Sequence, residues 1–243
     1  MARRKVLITG AAGRIGRVLK DGLKDRYDLR LLYHNTVLPA EPGEEVVVAD
    51  INDMDRMIEA TAGIDSVIHM AGNPSGATPF EVILEANIRG TYTVYEASHR
   101  SGVRRVVFAS TNHVTGYYEK NGIYTTPDMP ARPDSYYGAS KAYGEDLGRY
   151  YVDAFGLSVI CLRIGSFVAT DAMRDRKHGS DRILSSWLSH RDAVQLVWRS
   201  IEAEGVDFGV YYGISGNTRA YWYIQNAREE LGYEPEDDAE EHA

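Results

Sequence analysis

Six short apolar segments rich in β-branched residues, separated by stretches of helical periodicity, constrain the fold of this chain most. They read KVLIT, LRLLY, EEVVVA, DSVIHM, RRVVFAS and LSVICLRI. Because these runs are nearly continuous rather than alternating, each predicted strand should be covered on both faces. Strands that alternate with helices in this way build a parallel sheet with helices on either side. We therefore predict a doubly wound α/β core that extends to about Arg163.

After Arg163 the alternation of apolar runs and helical stretches is less regular, but further elements are still indicated. A polar stretch, DAMRDRKHGSDR, is followed by helix-like HRDAVQLVWRSIEAEG, strand-like GVYYG and a final helix near NAREELG. We expect this part to complete the sheet and to cover a substrate site. The single cysteine, Cys161, lies inside an apolar run and is interpreted as a buried strand residue.

Charge and hydropathy exclude several classes of protein. No basic stripe and no apolar stretch near the ~20 residues that span a bilayer are found, so nucleic-acid binding, a signal peptide and a membrane span are not expected. A cytoplasmic location follows as an expectation. The formal charge of −8 resides mostly in the C-terminal tail, which we expect to be solvated and frayed. The acids of this tail are Glu234, Glu236, Asp237, Asp238, Glu240 and Glu241.

A glycine-rich turn follows the first predicted strand. Gly10, Gly13 and Gly16 have G-x-x-G-x-x-G spacing directly before a helix. Such glycines allow a tight turn, a close approach of backbone to pyrophosphate and close packing of helix on sheet, while the helix N-terminus offers N–H groups to the anion. The motif predicts a Rossmann-like dinucleotide-binding core over residues 1–165, with the substrate part in residues 166–243.

Further cofactor contacts are predicted at the ends of the other strands. Asp50 follows the third strand, where an acid can accept from the adenine amine, although it can equally be the N-cap of the next helix. Asn87 can likewise be a mere helix interruption. The predicted cofactor residues are Gly10, Gly13, Arg14, Ile15, Gly16, Tyr33, His34, Asn35, Asp50, Ile51, Met70, Ala71, Gly72, Asn87, Ser110 and Ile164.

The end of the second strand bears on the choice between NAD and NADP. An acid about 20 residues after the glycine turn normally binds the ribose 2′-hydroxyl, but Tyr33 stands at this position, followed by His34 and Asn35. Without a carboxylate to repel a 2′-phosphate, and with Arg14 and His34 expected nearby, the sequence predicts tolerance of or preference for NADP.

A tyrosine and a lysine four residues apart, Tyr137 and Lys141, form the candidate acid–base pair. At helical spacing both lie on one face, and a neighbouring ammonium should lower the pKa of the phenol from its usual value near ~10. The pattern alone is common. Its position after a strand that ends in FASTNH adds weight, because Thr111 would then share the sheet edge with the glycine turn and hold a substrate oxygen.

Six motifs occur in the order found in one known family: TGAAGRIG, ADI, HMAG, STNH, YYGASK and LRIGS. In these the chain resembles the extended short-chain dehydrogenases/reductases, over nearly its whole length. Within that family FASTNHVTGYY, PARPDSYYGASKAYGEDL, RIGS and SSWLSHRD are similar to the uronate dehydrogenases. The resemblance implies oxidation of a sugar at its anomeric carbon with NAD or NADP, by Thr111, Tyr137 and Lys141, with Thr111 where a serine is usual.

The same resemblance implies a sugar site lined by Ser75, Asn112, His113, Ser166 and Arg182. Arg182 would hold a sugar carboxylate, because a guanidinium can donate two parallel hydrogen bonds to it. It also implies a homo-oligomer formed by the helices near residues 80–102 and 138–155. No metal site is predicted.

Alternatives to hexuronate oxidation remain open. A basic loop with Arg174, Arg176, Lys177 and His178 suits a sugar phosphate, and the ending YWYIQNAREELGYEP resembles archaeal sugar dehydrogenases that act on glucose 6-phosphate or neutral aldoses. A nucleotide-sugar epimerase or dehydratase would share the catalytic residues but needs a longer C-terminal part. A non-catalytic NAD(P)-sensing module is the third alternative.

Overall fold

The computed structural model describes residues 3–169 and 181–242, and these form a seven-stranded parallel sheet with helices on both faces. Every predicted strand is present, including the last one, GVYYG. The strands are β1 (Lys5–Thr9), β2 (Asp28–Tyr33), β3 (Glu45–Val48), β4 (Ser66–His69), β5 (Arg105–Thr111), β6 (Ser158–Ile164) and β7 (Phe208–Gly213).

Helices connect most of the strands, as the alternating pattern predicts. A π-helical turn at Leu84–Arg89 joins two consecutive helices. Two 3₁₀ turns lie at Asn112–Thr115 and Ala239–Glu241. The α-helices are α1 (Arg14–Leu23), α2 (Met54–Thr61), α3 (Phe80–Ile83), α4 (Gly90–Arg100), α5 (Gly116–Lys120), α6 (Tyr136–Phe155), α7 (Asp181–Ser186), α8 (His190–Glu202) and α9 (Gln225–Leu231).

The strand order β3-β2-β1-β4-β5-β6-β7 confirms the doubly wound prediction. The chain builds outward from β1 to β3, then returns to the other side of β1, where β4 pairs in parallel with Thr9 opposite His69. Ligands of open parallel sheets bind outside the carboxyl ends of the strands at this point of reversal. The glycine turn after β1 lies there.

Two apolar layers cover the sheet. One contains Leu19 of α1, Leu196 of α8 and Leu231 of α9, and the other contains Val94 of α4. Cys161 is fully buried in the second layer, as interpreted from its apolar neighbours. Because α8 and α9 share a core layer with α1, the chain after residue 165 helps to build the same sheet structure. The division at 165 stays a prediction about where substrate residues lie.

The acidic tail is ordered through His242, so the expectation of a frayed end is wrong. The buried carboxylate of Asp192 accepts hydrogen bonds from the backbone N–H groups of Glu236 at 3.0 Å and Asp237 at 3.2 Å. Ala239 is fully buried. Charge composition does not predict that the tail packs on the protein, because its hydrogen-bond partner lies on α8, some 45 residues earlier. Within the described parts of the chain, no helix is both long and apolar enough to cross a membrane.

Candidate active site

A crevice of about 850 Å³ lies at the carboxyl edge of the sheet, beside the turn that follows β1. Its lining combines backbone of the glycine turn with residues from the ends of β2, β3 and β4. It therefore brings together a large part of the predicted cofactor set. The predicted residues that line it are Gly10, Gly13, Tyr33, His34, Asn35, Asp50, Ile51, Met70, Ala71 and Gly72.

The glycine turn is packed so closely that side chains are excluded. Gly10 has φ of 67°, and a Cβ there would lie 2.7 Å from the backbone nitrogen of Ala71. A Cβ at Gly16 would lie 2.3 Å from the carbonyl oxygen of Gly10. Gly13 is the N-cap of α1 and no side chain caps this helix. The first N–H groups of α1 are thus left for an outside acceptor, and this cradle fits the pyrophosphate of a dinucleotide.

Several predicted cofactor residues do not line the crevice. The Arg14 guanidinium donates to the carbonyl of Phe167 at 3.2 Å, so it is directed to the loop after β6. The Ser110 hydroxyl donates to buried Glu145 at 2.5 Å. Ile15 and Ile164 pack on the apolar core. Gly16 packs against the backbone of Gly10 in the turn. Arg17, which the sequence analysis did not select, lines the crevice instead of Arg14.

Asp50 and Tyr33 line the crevice, but the contacts of their side chains differ from those expected. Asp50 accepts from the backbone N–H of Asn52 at 2.9 Å, and the N-cap of α2 is Asp53, which accepts from Arg56. The interpretation of Asp50 as that helix cap is therefore wrong. The side chain of Tyr33 is buried, and its hydroxyl has no hydrogen-bond partner among residues 3–169 and 181–242. Burial raises its pKa.

Asn87 is not a mere helix interruption, because its side chain links two segments by hydrogen bonds. It lies in the π-helical turn and is buried. Its Oδ1 accepts from the N–H of Asn73 at 2.7 Å, and its Nδ2 donates to the Ser140 hydroxyl at 3.1 Å. These bonds tie the loop after β4 to α6, so Asn87 fixes the wall of the crevice without lining it.

The three candidate catalytic residues are brought together and buried. Ser135 caps α6 by accepting from the N–H of Gly138 at 3.1 Å, which places Tyr137 in the first helical turn and Lys141 one turn later. Thr111 ends β5. Exposed fractions are 3% for Thr111, 9% for Tyr137 and 4% for Lys141. The Lys141 Nζ lies 6.0 Å from the centroid of the Tyr137 ring.

The pKa values of this group are dominated by burial. Burial raises the pKa of Tyr137, and a hydrogen bond with Thr111 opposes this only in part. The expected lowering of the Tyr137 pKa by Lys141 is therefore wrong for this structure. Burial also lowers the pKa of Lys141 to about 8. Loss of water disfavours the charged form of each group and outweighs the influence of the amine at this distance.

His69, at the end of β4, lies behind the pair as a neutral group. It is fully buried, with its Nδ1 2.8 Å from the Thr9 hydroxyl. Burial, with a smaller effect of Lys141, lowers the pKa of His69 to about 3. It supports the sheet edge and does not titrate near neutral pH.

A second cavity, of about 730 Å³, lies near Tyr137. The His113 ring on its wall packs edge-on against the Tyr137 ring, with centroids 5.8 Å apart. Two polar pairs cross the wall: the His113 Nδ1 lies 2.9 Å from Asp134, and Arg182 pairs with Glu119. Tyr137 is thus next to a cavity with charged walls, while Lys141 approaches Gly72 of the crevice.

The predicted sugar residues are only partly collected here. His113 and Arg182 line the cavity, and the buried Asn112 amide donates to Glu119 on its wall at 3.1 Å. The Ser166 hydroxyl instead bonds the Ser186 hydroxyl at 2.8 Å, and Ser75 is exposed on the loop after β4. The basic residues Arg174, Arg176, Lys177 and His178 lie outside the described residues.

Sequence reasoning missed several residues of this wall. Glu119 and Lys120 lie on α5, shortly after the STNH motif. Asp134 directly precedes SYYGASK. This proximity to the motifs was the available signal. Tyr221 carried none, because it comes from a segment nearly 40 residues after Arg182. The residues missed are Glu119, Lys120, Tyr124, Asp134 and Tyr221.

Comparison with known proteins finds relatives that match almost the whole chain. A uronate dehydrogenase of Pseudomonas syringae pv. tomato is 40% identical, covering 97% of this chain and 83% of that protein. An NAD-dependent glucose-6-phosphate dehydrogenase of Haloferax volcanii is 38% identical, covering 97% of this chain and 94% of that protein. A uronate dehydrogenase variant from Agrobacterium tumefaciens complexed with NAD superposes with a TM-score of 0.89 at 38% identity, covering 99% of this chain and 87% of that one.

The model of one family matches most of the chain. It is described as the NAD dependent epimerase/dehydratase family, and the match spans residues 6–208. Together with relatives near 40% identity over almost the whole length, this confirms the resemblance drawn from the motifs. The chain belongs to the NAD dependent epimerase/dehydratase family.

Proposed function

We propose that this protein is an NAD(P)-dependent dehydrogenase that oxidises the anomeric hydroxyl of a hexuronate to give an aldarolactone. One observation carries the proposal: Tyr137, hydrogen-bonded to Thr111, packs on His113 of the cavity that holds Arg182, while Lys141 approaches Gly72 of the dinucleotide-sized crevice. Similarity to uronate dehydrogenases over the whole chain supports the choice of sugar.

Each member of the group has a chemical role in this proposal. Thr111 holds the anomeric oxygen by a hydrogen bond, and Tyr137 accepts the hydroxyl proton. Lys141 stabilises the phenolate of Tyr137 while that negative charge exists. A nicotinamide dinucleotide held in the crevice would supply the acceptor for the hydride that leaves the sugar carbon. The crevice residues Gly10 and Gly13 would hold its phosphates with the N-terminus of α1.

The burial of Tyr137 has a consequence for pH dependence. Because burial raises the pKa of this phenol, it is protonated at neutral pH in the surroundings described. A base that must lose a proton before it acts gives a rate that rises with pH. Turnover should therefore increase between neutral and alkaline pH, until Lys141, with a pKa of about 8, loses its charge.

The proposal for the cofactor is NAD, with tolerance of NADP. No acid stands among residues 33–36, and Arg17 lines the crevice beside them. A guanidinium can bind a 2′-phosphate, and no carboxylate from the end of β2 would repel it. Steady-state turnover with each cofactor tests this, and a strong preference for NAD would contradict the tolerance of NADP.

A sugar phosphate is the second candidate substrate. The cavity holds Lys120 in addition to Arg182, and two cations suit a dianionic group. The Haloferax volcanii relative named for glucose 6-phosphate supports the same alternative. A neutral aldose ranks behind both, because it carries no anionic group for these cations to bind.

The deciding experiment is a panel of uronates, hexose phosphates and neutral aldoses assayed with NAD and NADP. Steady accumulation of reduced cofactor with glucuronate or galacturonate is the expected result. Accumulation with a hexose phosphate alone would move the proposal to the second candidate. An epimerase would convert a nucleotide sugar without accumulating reduced cofactor, and a sensing module would bind cofactor without any turnover.

Self-association and a cytoplasmic location stay predictions. Apolar side chains exposed on the helices predicted to form the dimer surface support a homo-oligomer, since large exposed apolar patches mark interfaces. Analytical ultracentrifugation tests this. The exposed side chains are Phe80, Val82, Leu84, Tyr92, Tyr136, Tyr150 and Phe155.

A further inference from the structure

Glu119 of α5 contacts two side chains of the expected sugar site, and one of them, Arg182, is the residue expected to bind the sugar carboxylate. Its carboxylate accepts from the Asn112 amide at 3.1 Å and pairs with the Nε of Arg182. Glu119 is largely buried, with 12% of its side chain exposed, whereas Arg182 is 43% exposed. The acid is therefore the fixed partner and the arginine the accessible one.

The Glu119 carboxylate is held from a third side as well. Burial, together with the interaction of the Tyr221 hydroxyl with Glu119, raises the pKa of Tyr221. The Glu119 carboxylate is thus held by an amide, a guanidinium and a phenol on the wall of the cavity, next to Arg182.

We propose that Glu119 is a specificity-determining residue that limits the binding of anionic sugars by competing with their carboxylate for Arg182 and Asn112. This inference rests on the proposed function, since it assumes that a sugar enters this cavity. A hexuronate would bring a second carboxylate to one guanidinium, and two like charges at short distance in a partly buried site repel. A neutral aldose meets no such repulsion.

The substitution Glu119→Gln separates these cases while keeping the shape of the side chain. Its amide oxygen can still accept from Asn112, but the negative charge next to Arg182 is removed. The expected result is a KM for glucuronate about tenfold lower than that of the wild type, with the KM for a neutral aldose changed less than about twofold. An unchanged or higher KM for glucuronate overturns the inference.

A matched control distinguishes competition for Arg182 from a general charge effect. Asp134 lines the same cavity but pairs with His113 at 2.9 Å and Lys120 at 3.4 Å. If negative charge alone mattered, Asp134→Asn would lower the glucuronate KM as much as Glu119→Gln. We expect the larger fall only in Glu119→Gln, and equal falls in the two variants would overturn the inference.

A double variant tests the link to Arg182 directly. If Glu119 acts by occupying Arg182, the substitution Glu119→Gln should give no improvement in a protein that already carries Arg182→Gln. The same tenfold improvement in both backgrounds would overturn the inference. Thermal unfolding of each variant checks that the fold is retained, and Glu59→Gln, in an exposed ion pair with Arg56, serves as the remote control.

Binding measurements keep this test independent of turnover. Calorimetric titration of glucuronate and glucose into wild type and Glu119→Gln, with NAD present, reads the same selectivity without chemistry. If neither protein oxidises any sugar but Glu119→Gln binds glucuronate about tenfold more tightly than wild type, the proposed function fails and the inference stands. If wild type oxidises glucuronate and the affinity does not change, only the inference fails.

Discussion

The crevice proposed for the cofactor and the cavity proposed for the sugar lie near the Tyr137–Lys141 pair and differ in what forms their walls. The crevice is formed largely by backbone, with Gly10 and Gly16 in contacts too close for any side chain. The cavity is formed by charged side chains already paired with one another, such as Glu119 with Arg182. Backbone packing fixes one shape, whereas ion pairs can be exchanged. The cofactor side is therefore the constant part of this enzyme and the sugar side the adjustable one.

The positions of Thr111 and Tyr137 are fixed by contacts among β5, β6 and α6. Glu145, two turns after Tyr137 on α6, forms a buried ion pair with Arg163 of β6 at 2.8 Å. Ser110 of β5 donates to the same carboxylate. These contacts hold α6 against both strands, so Tyr137 and Thr111 keep their relation whichever ligand fills either side. Catalytic groups on rigid elements are positioned more accurately than groups on loops.

The largest expected effect is loss of turnover in Tyr137→Phe. Removal of the proton acceptor should lower kcat by about 10³-fold, the range typical of a general base, and leave the Kd for NAD within about twofold. Rapid kinetics and cofactor titration measure the two quantities. The neighbouring Tyr136, 61% exposed, offers the matched control Tyr136→Phe. Comparable turnover in Tyr137→Phe and wild type would remove the proposed mechanism.

The next effect tests whether the crevice is as rigid as its packing suggests. Gly16→Ala places a Cβ 2.3 Å from the Gly10 carbonyl oxygen, and backbone has to move. We expect the free energy of unfolding to fall by about 3 kcal/mol, the cost of overpacking a tight site. Urea denaturation measures it, with Gly216→Ala as control, since a Cβ there meets nothing closer than 3.5 Å. Equal stabilities would show that the crevice adapts as readily as the cavity.

Lys141 should show a conflict between activity and stability. Its pKa falls from 10.5 to about 8 on burial, so the folded state is penalised wherever the lysine is charged. The penalty, about 3 kcal/mol, is complete below pH 8 and disappears as pH rises through 8 towards 10.5, because the unfolded chain then loses the proton as well. Lys141→Met should be inactive, yet more stable than wild type at pH 7, with an advantage that shrinks at pH 10. Urea unfolding at both pH values checks this, with exposed Lys24→Met as control. An advantage independent of pH would contradict it.

The smallest expected effect concerns the cofactor. Arg17 lines the crevice, whereas Arg14, three residues earlier, donates to the Phe167 carbonyl. Arg17→Gln should raise the KM for NADP about tenfold and leave the KM for NAD within about twofold, because only NADP carries the additional phosphate. Arg14→Gln should leave the ratio of the two KM values unchanged. If Arg14→Gln had the larger effect on NADP, the assignment of the two arginines would be reversed.

Local patterns predicted most of the fold and the cofactor end. Strand positions were read from apolar runs, and the glycine turn from spacing between β1 and α1. The structure differs from these expectations in side-chain direction. Arg14 was selected instead of Arg17, since both follow the turn and only packing decides which reaches the crevice. Ser110 was selected with Thr111, but successive strand residues point to opposite faces, and Ser110 is committed to Glu145.

The wall of the cavity proposed for the sugar is assembled from distant segments, and local sequence indicates least about it. Glu119 and Arg182 are 63 residues apart in the chain, and Tyr221 comes later still. No periodicity or spacing connects such residues. The resemblance to a known family identified His113 and Arg182 but not the acid between them, because it carried over only residues that match a shared motif.

Local patterns in the chain are sufficient to predict the parallel sheet, the glycine turn and the tyrosine–lysine pair, because apolar periodicity, glycine spacing and helical spacing act over a few residues. The pKa values and the partners of the polar groups depend instead on three-dimensional packing. The pKa of Tyr137 is raised rather than lowered, and Arg182 is paired with Glu119. Desolvation and ion pairing depend on which distant elements surround a group in three dimensions, and local sequence does not contain that information.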